Sequence, residues 1–328
     1  MNHGKFVVSL DFELMWGVRD KKSIAQYGEN VRGVHKVIPQ LLELFRKYNI
    51  NGTFSTVGLL FFENKETLLA GLPINKPQYI DDNLSPYNGY INTIGTNSKD
   101  DLYHYAPNLI AEIQKFPEQE IGTHTFCHYY CLEEGQTIID FKDDIKSAIE
   151  IAKKNNIKIT SLIFPRNQFN NEYLNVCVEL GIFCFRGNEK SWLYKAVKGA
   201  EESIFRRALR LLDVYINITG HNTYTDQYMA SLMPINIPSS RFLRPYSSKI
   251  SFLDSFRLHR IKSGMTYAAK HNQTFHLWWH PHNFGINQTK NFHFLEKILT
   301  HYQLLSQKYN FKSYTMSDLA SSLINGKN

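Results

Sequence analysis

IIDFKDDIKSAIEIAKK, residues 138–154, is followed after two asparagines by IKITSLIF, residues 157–164. In the first segment apolar residues recur at spacings of three and four, as at Ile145, Ile149 and Ala152, which predicts an amphipathic helix. The second segment is a short apolar run of the kind that forms a buried strand. A helix that leads at once into such a strand is typical of α/β proteins with a mainly parallel sheet.

The same unit recurs along the chain and predicts one α/β fold. The other instances are Val37–Tyr48 before Gly52–Val57, Glu172–Leu180 before Ile182–Phe185, and Phe292–Tyr309 before Phe311–Tyr314. Such alternation predicts a mainly parallel sheet, open or closed into a barrel.

Two stretches interrupt this alternation, residues 73–107 and residues 188–250. The first is rich in proline, asparagine and tyrosine and lacks a clean period. The second combines a predicted helix near Ile204–Leu212 with irregular segments rich in proline, serine and asparagine. We therefore predict a single domain over residues 1–328 with long loop insertions at these two places. Both insertions are candidate walls of a substrate site, although surface insertions without any role are equally common.

Composition limits the class of protein. The chain has 328 residues, of which 43% are apolar and 14% aromatic, enough for a large buried core. No apolar run approaches the roughly 20 residues of a membrane helix, and Met1–Lys5 leads directly into a strand-like segment without a cleavable leader. These features predict a cytoplasmic protein without an integral membrane segment, whose four cysteines are reduced.

The net charge of +7 is modest for this length, and we expect no nucleic-acid partner. Basic residues nevertheless concentrate between Arg206 and Lys262. They form either a solvated helical face or a binding surface for an anionic partner such as a nucleotide-linked or lipid-linked sugar phosphate. The oligomeric state is not determined by the sequence.

Two histidines and two carboxylates suggest a mononuclear metal site. His124 and His128 are four residues apart, so a helical turn would put both imidazoles within reach of one ion. Asp11 and Glu13 alternate with Phe12 on a strand and project from one face. Two adjacent carboxylates repel each other, which favours a metal ion or an arginine nearby.

A structural zinc held by cysteine and histidine is a competing hypothesis, because Cys127 and Cys131 lie on the same predicted stripe as the histidine pair. Residues 124–131 on one helix would span roughly 10 Å, too far for four ligands of one ion.

Two further segments carry groups that suit catalysis. In the strand-like segment Phe275–His282, a histidine at the end could protonate a leaving group, but periodicity does not rank His280 against His282. Arg166 follows the strand at residues 157–164 and could orient a carboxylate through a bidentate contact. It is equally compatible with an exposed arginine on a loop.

Taken in order, these segments resemble the polysaccharide deacetylase family, also called carbohydrate esterase family 4. His124-Thr125-Phe126-Cys127-His128 matches the family's His-Ser/Thr-x-x-His motif, and Leu277-Trp278-Trp279-His280 matches its Leu-x-x-His motif. Ser9-Leu10-Asp11-Phe12-Glu13 replaces the family's Thr-Phe-Asp-Asp-Gly motif, and the Arg-x-Pro motif is altered to Phe164-Pro165-Arg166-Asn167.

The resemblance implies a distorted (β/α) barrel of about seven parallel strands that binds one divalent metal ion, for which zinc is the expected element. It also assigns roles to the residues. The implied metal ligands are Glu13, His124 and His128. The implied catalytic residues are Asp11 as general base, Arg166 as its partner and His280 as general acid. The implied substrate-binding residues are Leu277 and one of the tryptophans, Trp278 or Trp279.

By this resemblance we expect a hydrolase that removes an N-acetyl group from a sugar or glycan precursor in surface polysaccharide biosynthesis. Three alternatives are open. The chain could hydrolyse a non-sugar amide, or it could be an inactive barrel that binds a glycan or an anionic lipid. A glycoside hydrolase would need a second carboxylate across the sugar and would leave the histidine pair unexplained.

Overall fold

Nine strands form one sheet in the computed structural model, which describes residues 3–195 and 203–326, and every strand pairing in it is parallel. The strands are β1 (Lys5–Phe12), β2 (Gly52–Thr56), β3 (Glu120–Thr123), β4 (Ser161–Ile163), β5 (Cys184–Arg186), β6 (Ile235–Asn236), β7 (Arg241–Phe242), β8 (Thr274–Trp279) and β9 (Lys312–Tyr314).

One extended segment, residues 235–243, connects the two ends of this sheet. Its first half lies beside β5, where Ile235 N donates to Phe183 O at 2.7 Å. Its second half lies beside β8, where Leu243 N donates to Trp278 O at 2.8 Å. Counting this segment once, the order around the barrel is β1, β2, β3, β4, β5, residues 235–243 and β8. The predicted distorted barrel of about seven parallel strands is confirmed.

Helices surround the barrel. They are α1 (Ile24–Tyr48), α2 (Lys65–Ala70), α3 (Tyr90–Thr93), α4 (Pro107–Gln114), α5 (Ile138–Lys154), α6 (Asn171–Glu179), α7 (Ile204–Asp213), α8 (Asp226–Met229), α9 (Asp254–Lys270), α10 (Gln288–Tyr309) and α11 (Met316–Asn325). Within the described ranges, none of them combines the length and the apolar character that crossing a bilayer requires.

Helix α5 shows how local sequence sets these elements. Thr137 and Asp140 form a capping box that fixes its first residue, because each side chain accepts a hydrogen bond from the other's backbone N–H. Ile145, Ala148 and Ala152 are buried against the sheet side of the fold. The helix has the bounds that its apolar periodicity predicts.

Two parts of the fold differ from the sequence-based expectation. Strand β4 covers only residues 161–163 of the predicted run at 157–164, because the ladder with β5 pairs only these three residues. Residues 188–250 contain β6 and β7 and therefore contribute to the barrel itself, in addition to α7 and α8. Residues 73–107 contain only short helical elements between α2 and α4.

Candidate metal centre and active site

The carboxyl ends of the parallel strands meet at one rim of the barrel, where barrel enzymes hold their chemical groups. Asp11 lies near the end of β1 and Glu13 follows it, His124 follows β3, Arg186 ends β5 and His280 follows β8. Residues far apart in the sequence thus come together because their strands end at the same rim of one barrel.

Glu13 is at the centre of this group and is only 3% exposed. Its Oε2 lies 3.2 Å from Nε2 of His124 and 3.1 Å from Nε2 of His128. Gly17 makes room for it, since a Cβ at this glycine would lie 2.0 Å from the Glu13 carboxyl carbon. Burial opposes the charge of Glu13, but the surrounding histidines outweigh it and hold its pKa well below the ordinary value. The three predicted metal ligands are therefore brought together.

The two histidines do not lie on a helical turn, as the spacing suggested, but in a loop after β3. Thr125 and His128 have φ of 64° and 63°, a left-handed conformation that is uncommon for residues other than glycine. Asp144 stabilises the loop by accepting hydrogen bonds from the N–H groups of Phe126 at 2.7 Å and Cys127 at 3.0 Å. The convergence of the imidazoles thus comes from a loop with local backbone strain that α5 supports.

The donor set fits a divalent metal ion. Nδ1 of His124 lies 2.8 Å from Ile163 O, which can only accept, so this nitrogen carries the proton. In the neutral ring Nε2 then has a lone pair directed at a carboxylate oxygen of Glu13. Two acceptors at this distance require a cation between them, a proton or a metal ion. A backbone carbonyl that fixes the outer nitrogen is typical of metal-binding histidine.

A second pair of histidines, His280 and His282, lies near the other carboxylate oxygen of Glu13. His282, which is 4% exposed, places Nε2 3.0 Å from Glu13 Oε1, and its Nδ1 lies 2.9 Å from the hydroxyl of Tyr27. His280 Nε2 lies 3.7 Å from the same oxygen. Glu13, His280 and His282 therefore form a second group with metal-binding geometry, beside Glu13, His124 and His128.

His280 lies between the two carboxylates. Its Nε2 is 3.6 Å from Asp11 Oδ2, its side chain is 23% exposed, and its Nδ1 is buried without a hydrogen-bond partner among the described residues. Its ring is held by packing against Trp278 and Phe242 at 5.7 and 5.9 Å between ring centroids. Burial lowers its pKa against the opposing effect of Glu13 and Asp11, which makes the proton easier to release.

Asp11 forms a bidentate ion pair with Arg186, a residue that the sequence analysis did not consider. The guanidinium donates to both carboxylate oxygens, at 2.7 and 2.8 Å, and to Ser9 Oγ at 3.0 Å. It lies 4.0 Å from the ring centroid of Trp278 and is 1% exposed. Burial raises the pKa of Asp11, but the charge of Arg186 more than offsets this and keeps the pKa below the ordinary value.

The prediction that Arg166 is the partner of Asp11 is therefore wrong. Arg166 instead binds Asp20 and Glu133, the latter at 3.1 Å, and lies 4.1 Å from the ring centroid of Tyr130. Arg166 follows the short strand β4 and has a left-handed backbone conformation, with φ of 53° and ψ of 17°. This conformation directs its side chain to Asp20 and Glu133 instead of Asp11.

Of the three predicted substrate-binding residues, the structure places only Trp278 toward the barrel interior. His276 and Trp278 share that face, and His276 Nε2 lies 2.8 Å from Ser9 Oγ. Side chains alternate along a strand, so Leu277 and Trp279 point outward; both are fully buried in the main hydrophobic core. Trp279 stacks on Phe284 at 5.7 Å, and neither it nor Leu277 lines the site.

The sequence interpretation missed Arg186 and the role of His282. Arg186 ends a strand and could have been found by the rule that barrel chemistry lies at strand ends. His282 follows a proline two residues beyond His280, and no local signal places it beside Glu13. Cys127 and Cys131, the ligands of the competing zinc hypothesis, are free thiols in the hydrophobic core.

Comparison with known proteins agrees with the fold and with the resemblance to the polysaccharide deacetylase family. A family model described as polysaccharide deacetylase matches residues 17–184. No curated protein matches this sequence. Among solved structures, the chain is similar to a Mycobacterium smegmatis protein assigned as a polysaccharide deacetylase, with 12% identity, a TM-score of 0.63, and coverage of 100% of this chain and 92% of that one.

Two further structures share the fold. One is a protein of Pseudomonas aeruginosa PAO1 with the same assignment, at 10% identity and a TM-score of 0.56, covering 97% of this chain and 89% of that one. The other is the PuuE allantoinase, at 9% identity and a TM-score of 0.56, with the same two coverages. Identities this low show a common fold and do not assign an activity.

Proposed function

Because this chain belongs to the polysaccharide deacetylase family, we propose that it is a metal-dependent hydrolase that removes an N-acetyl group from an N-acetylated sugar or glycan precursor. One observation carries the proposal: a buried carboxylate, Glu13, faces two imidazoles at 3.1 to 3.2 Å while a second carboxylate, Asp11, is held beside it by an arginine. Such a donor set suits a catalytic metal site with a separate base.

Glu13, His124 and His128 would hold the ion, and His282 is a further nitrogen within 3.0 Å of Glu13. Two or more imidazoles and a carboxylate suit zinc. A divalent ion at such a site supplies Lewis acidity, which makes a water molecule more acidic and a carbonyl group more electrophilic.

Asp11 would act as the general base. The bidentate contact with Arg186 fixes the carboxylate plane and keeps the carboxylate ionised, so it is ready to accept a proton from the attacking water. The pairing also makes Asp11 a weaker base than a free carboxylate. Asp11 could therefore deprotonate the attacking water only if the pKa of that water were lowered as well.

His280 would act as the general acid. Its Nε2 lies between Asp11 and Glu13 and its side chain is partly exposed, so a substrate entering from the rim can reach it. A proton on this nitrogen can pass to the departing amine as the carbon–nitrogen bond breaks. Trp278, which faces the barrel interior beside Arg186, offers an aromatic surface for a sugar ring.

The test is acetate release with and without metal. The protein would be stripped with a chelator, reloaded with zinc, and assayed on N-acetylated sugars and oligosaccharides. We expect His128→Ala to lose bound metal and activity together, because it removes a buried ligand. His293→Ala, at an exposed histidine of α10, is the matched control and should retain both. An undiminished rate in His128→Ala with stoichiometric zinc would refute the site assignment.

The same assay separates the alternatives. A metal-loaded protein that binds glycans and releases no acetate would be a binding protein. Hydrolysis of a non-sugar amide without acetate release would make the chain an amide hydrolase with a different substrate.

A further inference from the structure

A cavity of about 480 Å³ adjoins the candidate site. Trp278 and Asn167 line it, and both also touch Arg186, the partner of Asp11: the Trp278 ring centroid lies 4.0 Å away and Asn167 Oδ1 accepts a hydrogen bond at 2.9 Å. Phe242 lines it as well and packs against His280. A molecule in this cavity therefore lies next to the catalytic groups.

The walls of the cavity are strongly cationic. Seven of the lining side chains are lysine or arginine, and Glu189 is the only acid among the described lining residues. Burial raises the pKa of Glu189, which reduces its power to balance them. Four of the cations have no ion-pair partner among the described residues: Lys21, Lys195, Arg207 and Arg244.

Three donors on these walls are buried without a hydrogen-bond partner in the described part of the chain. They are Nη2 of Arg241, Nε of Arg244 and the indole N–H of Trp278. Arg241 is 4% exposed, and its Nη1 is occupied by Asp213 at 2.5 Å. Buried donors are nearly always paired, so unpaired donors around one cavity point to a ligand with several acceptor oxygens.

We propose that this cavity binds a phosphate or diphosphate group esterified to the substrate sugar. A phosphate offers strong acceptor oxygens for guanidinium forks, and its charge balances cations that lack an ion-pair partner among the described residues. The volume is in the range of pockets that enclose a small ligand. The inference rests on the proposed function for the reaction at the adjacent site, but the binding itself needs neither metal nor turnover.

The phosphate ester can come from a soluble nucleotide-linked or 1-phosphorylated sugar, or from a lipid-linked sugar. Helix α7 bears on this choice. Arg207, which lines the cavity, lies in this helix, and Ile204 and Phe205 before it are 84% and 68% exposed. Exposed apolar side chains beside a cationic site are the arrangement that contacts a membrane surface.

The test is calorimetric binding to the full-length, metal-stripped protein, with N-acetylglucosamine 1-phosphate and N-acetylglucosamine as paired probes. We expect the phosphate to improve affinity by about tenfold or more, since a charge-assisted hydrogen bond contributes at least that factor. A second arm measures sedimentation with phosphatidylcholine vesicles with and without a polyisoprenyl phosphate. If the phosphate ester is part of a lipid-linked sugar, Phe205→Ser should weaken binding to the vesicles and leave binding of the soluble sugar phosphate unchanged.

Arg207→Gln and Arg244→Gln should each weaken phosphate binding by about tenfold and leave binding of the neutral sugar unchanged. Arg207 is exposed, so its replacement should not disturb folding. Arg32→Gln, at an exposed arginine of α1, removes the same charge elsewhere and should have no effect. Absence of a phosphate preference in both arms, or an equal loss in Arg32→Gln, overturns the proposal. Acetate release by a protein without phosphate preference would overturn this inference and leave the proposed function intact.

Discussion

Replacement of Arg186 by methionine tests the buried ion pair that organises the site. Arg186 and Asp11 are 1% and 3% exposed, and the arginine satisfies both carboxylate oxygens. Methionine keeps much of the apolar volume and removes the charge, which leaves Asp11 buried without its partner. Breaking such a pair by removing one member costs about 3–5 kcal/mol of unfolding free energy at neutral pH.

The pH dependence distinguishes charge from packing. In the parent protein the pKa of Asp11 is below its ordinary value, so the stabilisation is present above about pH 4 and is lost as the pH falls through the folded-state pKa. Without Arg186, the effect of burial acts with less opposition and raises the pKa of Asp11. Protonation of Asp11 then removes the unpaired buried charge. The loss of unfolding free energy in Arg186→Met should therefore be smaller at about pH 4 than at about pH 7.

The measurement is urea unfolding followed by circular dichroism, with a chelator present because bound metal would add its own stabilisation. Arg257→Met is the matched control. Arg257 lies 4.0 Å from the ring centroid of Phe294, as Arg186 does from Trp278, but its carboxylate partner Asp254 is 28% exposed and stays hydrated. An Arg186→Met deficit that is the same at both pH values, or no larger than that of Arg257→Met, would refute the reasoning.

Three other replacements separate the roles of nearby residues. His280→Ala should lower kcat by about 10²- to 10⁴-fold and keep the zinc content measured by mass spectrometry, because the imidazole transfers a proton; loss of zinc would instead make it a ligand. Gly17→Ala places a Cβ 2.0 Å from the Glu13 carboxyl carbon, and calorimetry should show zinc affinity reduced by about tenfold or more; unchanged affinity would contradict this. Burial raises the pKa of Asp144 to about 6, so its contribution to stability declines as pH rises through that value. Asp144→Asn should therefore lower the unfolding free energy most near about pH 4. Above about pH 7 this deficit should be smaller, by up to about 3 kcal/mol. A deficit in urea unfolding that grows with pH would contradict the assignment.

Local pattern was enough for most of the elements outside residues 188–250 and for part of the site. The periodicity that predicts α5 and the strand-like runs reflects burial of one face, which is a property of neighbouring residues. Five site residues are brought together because each is at or beyond the carboxyl end of a strand: Asp11, Glu13, His124, His128 and His280. Their grouping follows from the barrel topology as soon as the strands are known.

The partner of Asp11 shows where local pattern fails. Arg166 follows β4 and Arg186 ends the adjacent strand β5, so position relative to the strand ends does not distinguish them. The choice depends on the turn after β4, where Arg166 has φ of 53°, and on the stacking of Arg186 on Trp278. Both are set by tertiary packing. Leu277 is the opposite case, since strand alternation alone places it on the outward face, against the role that the resemblance implied.

The position of β1 in the barrel has a consequence during synthesis. Lys5 pairs with Thr274, 269 residues later in the chain, whereas β2 pairs with Val8–Phe12 along the other edge of β1. A nascent chain therefore emerges with one edge of its first strand unpaired until β8 has left the ribosome. At about 5–20 residues per second this interval lasts many seconds. An apolar strand edge that stays unpaired for this time can pair with other chains and cause aggregation. We therefore expect a chaperone to bind the N-terminal half of the nascent chain.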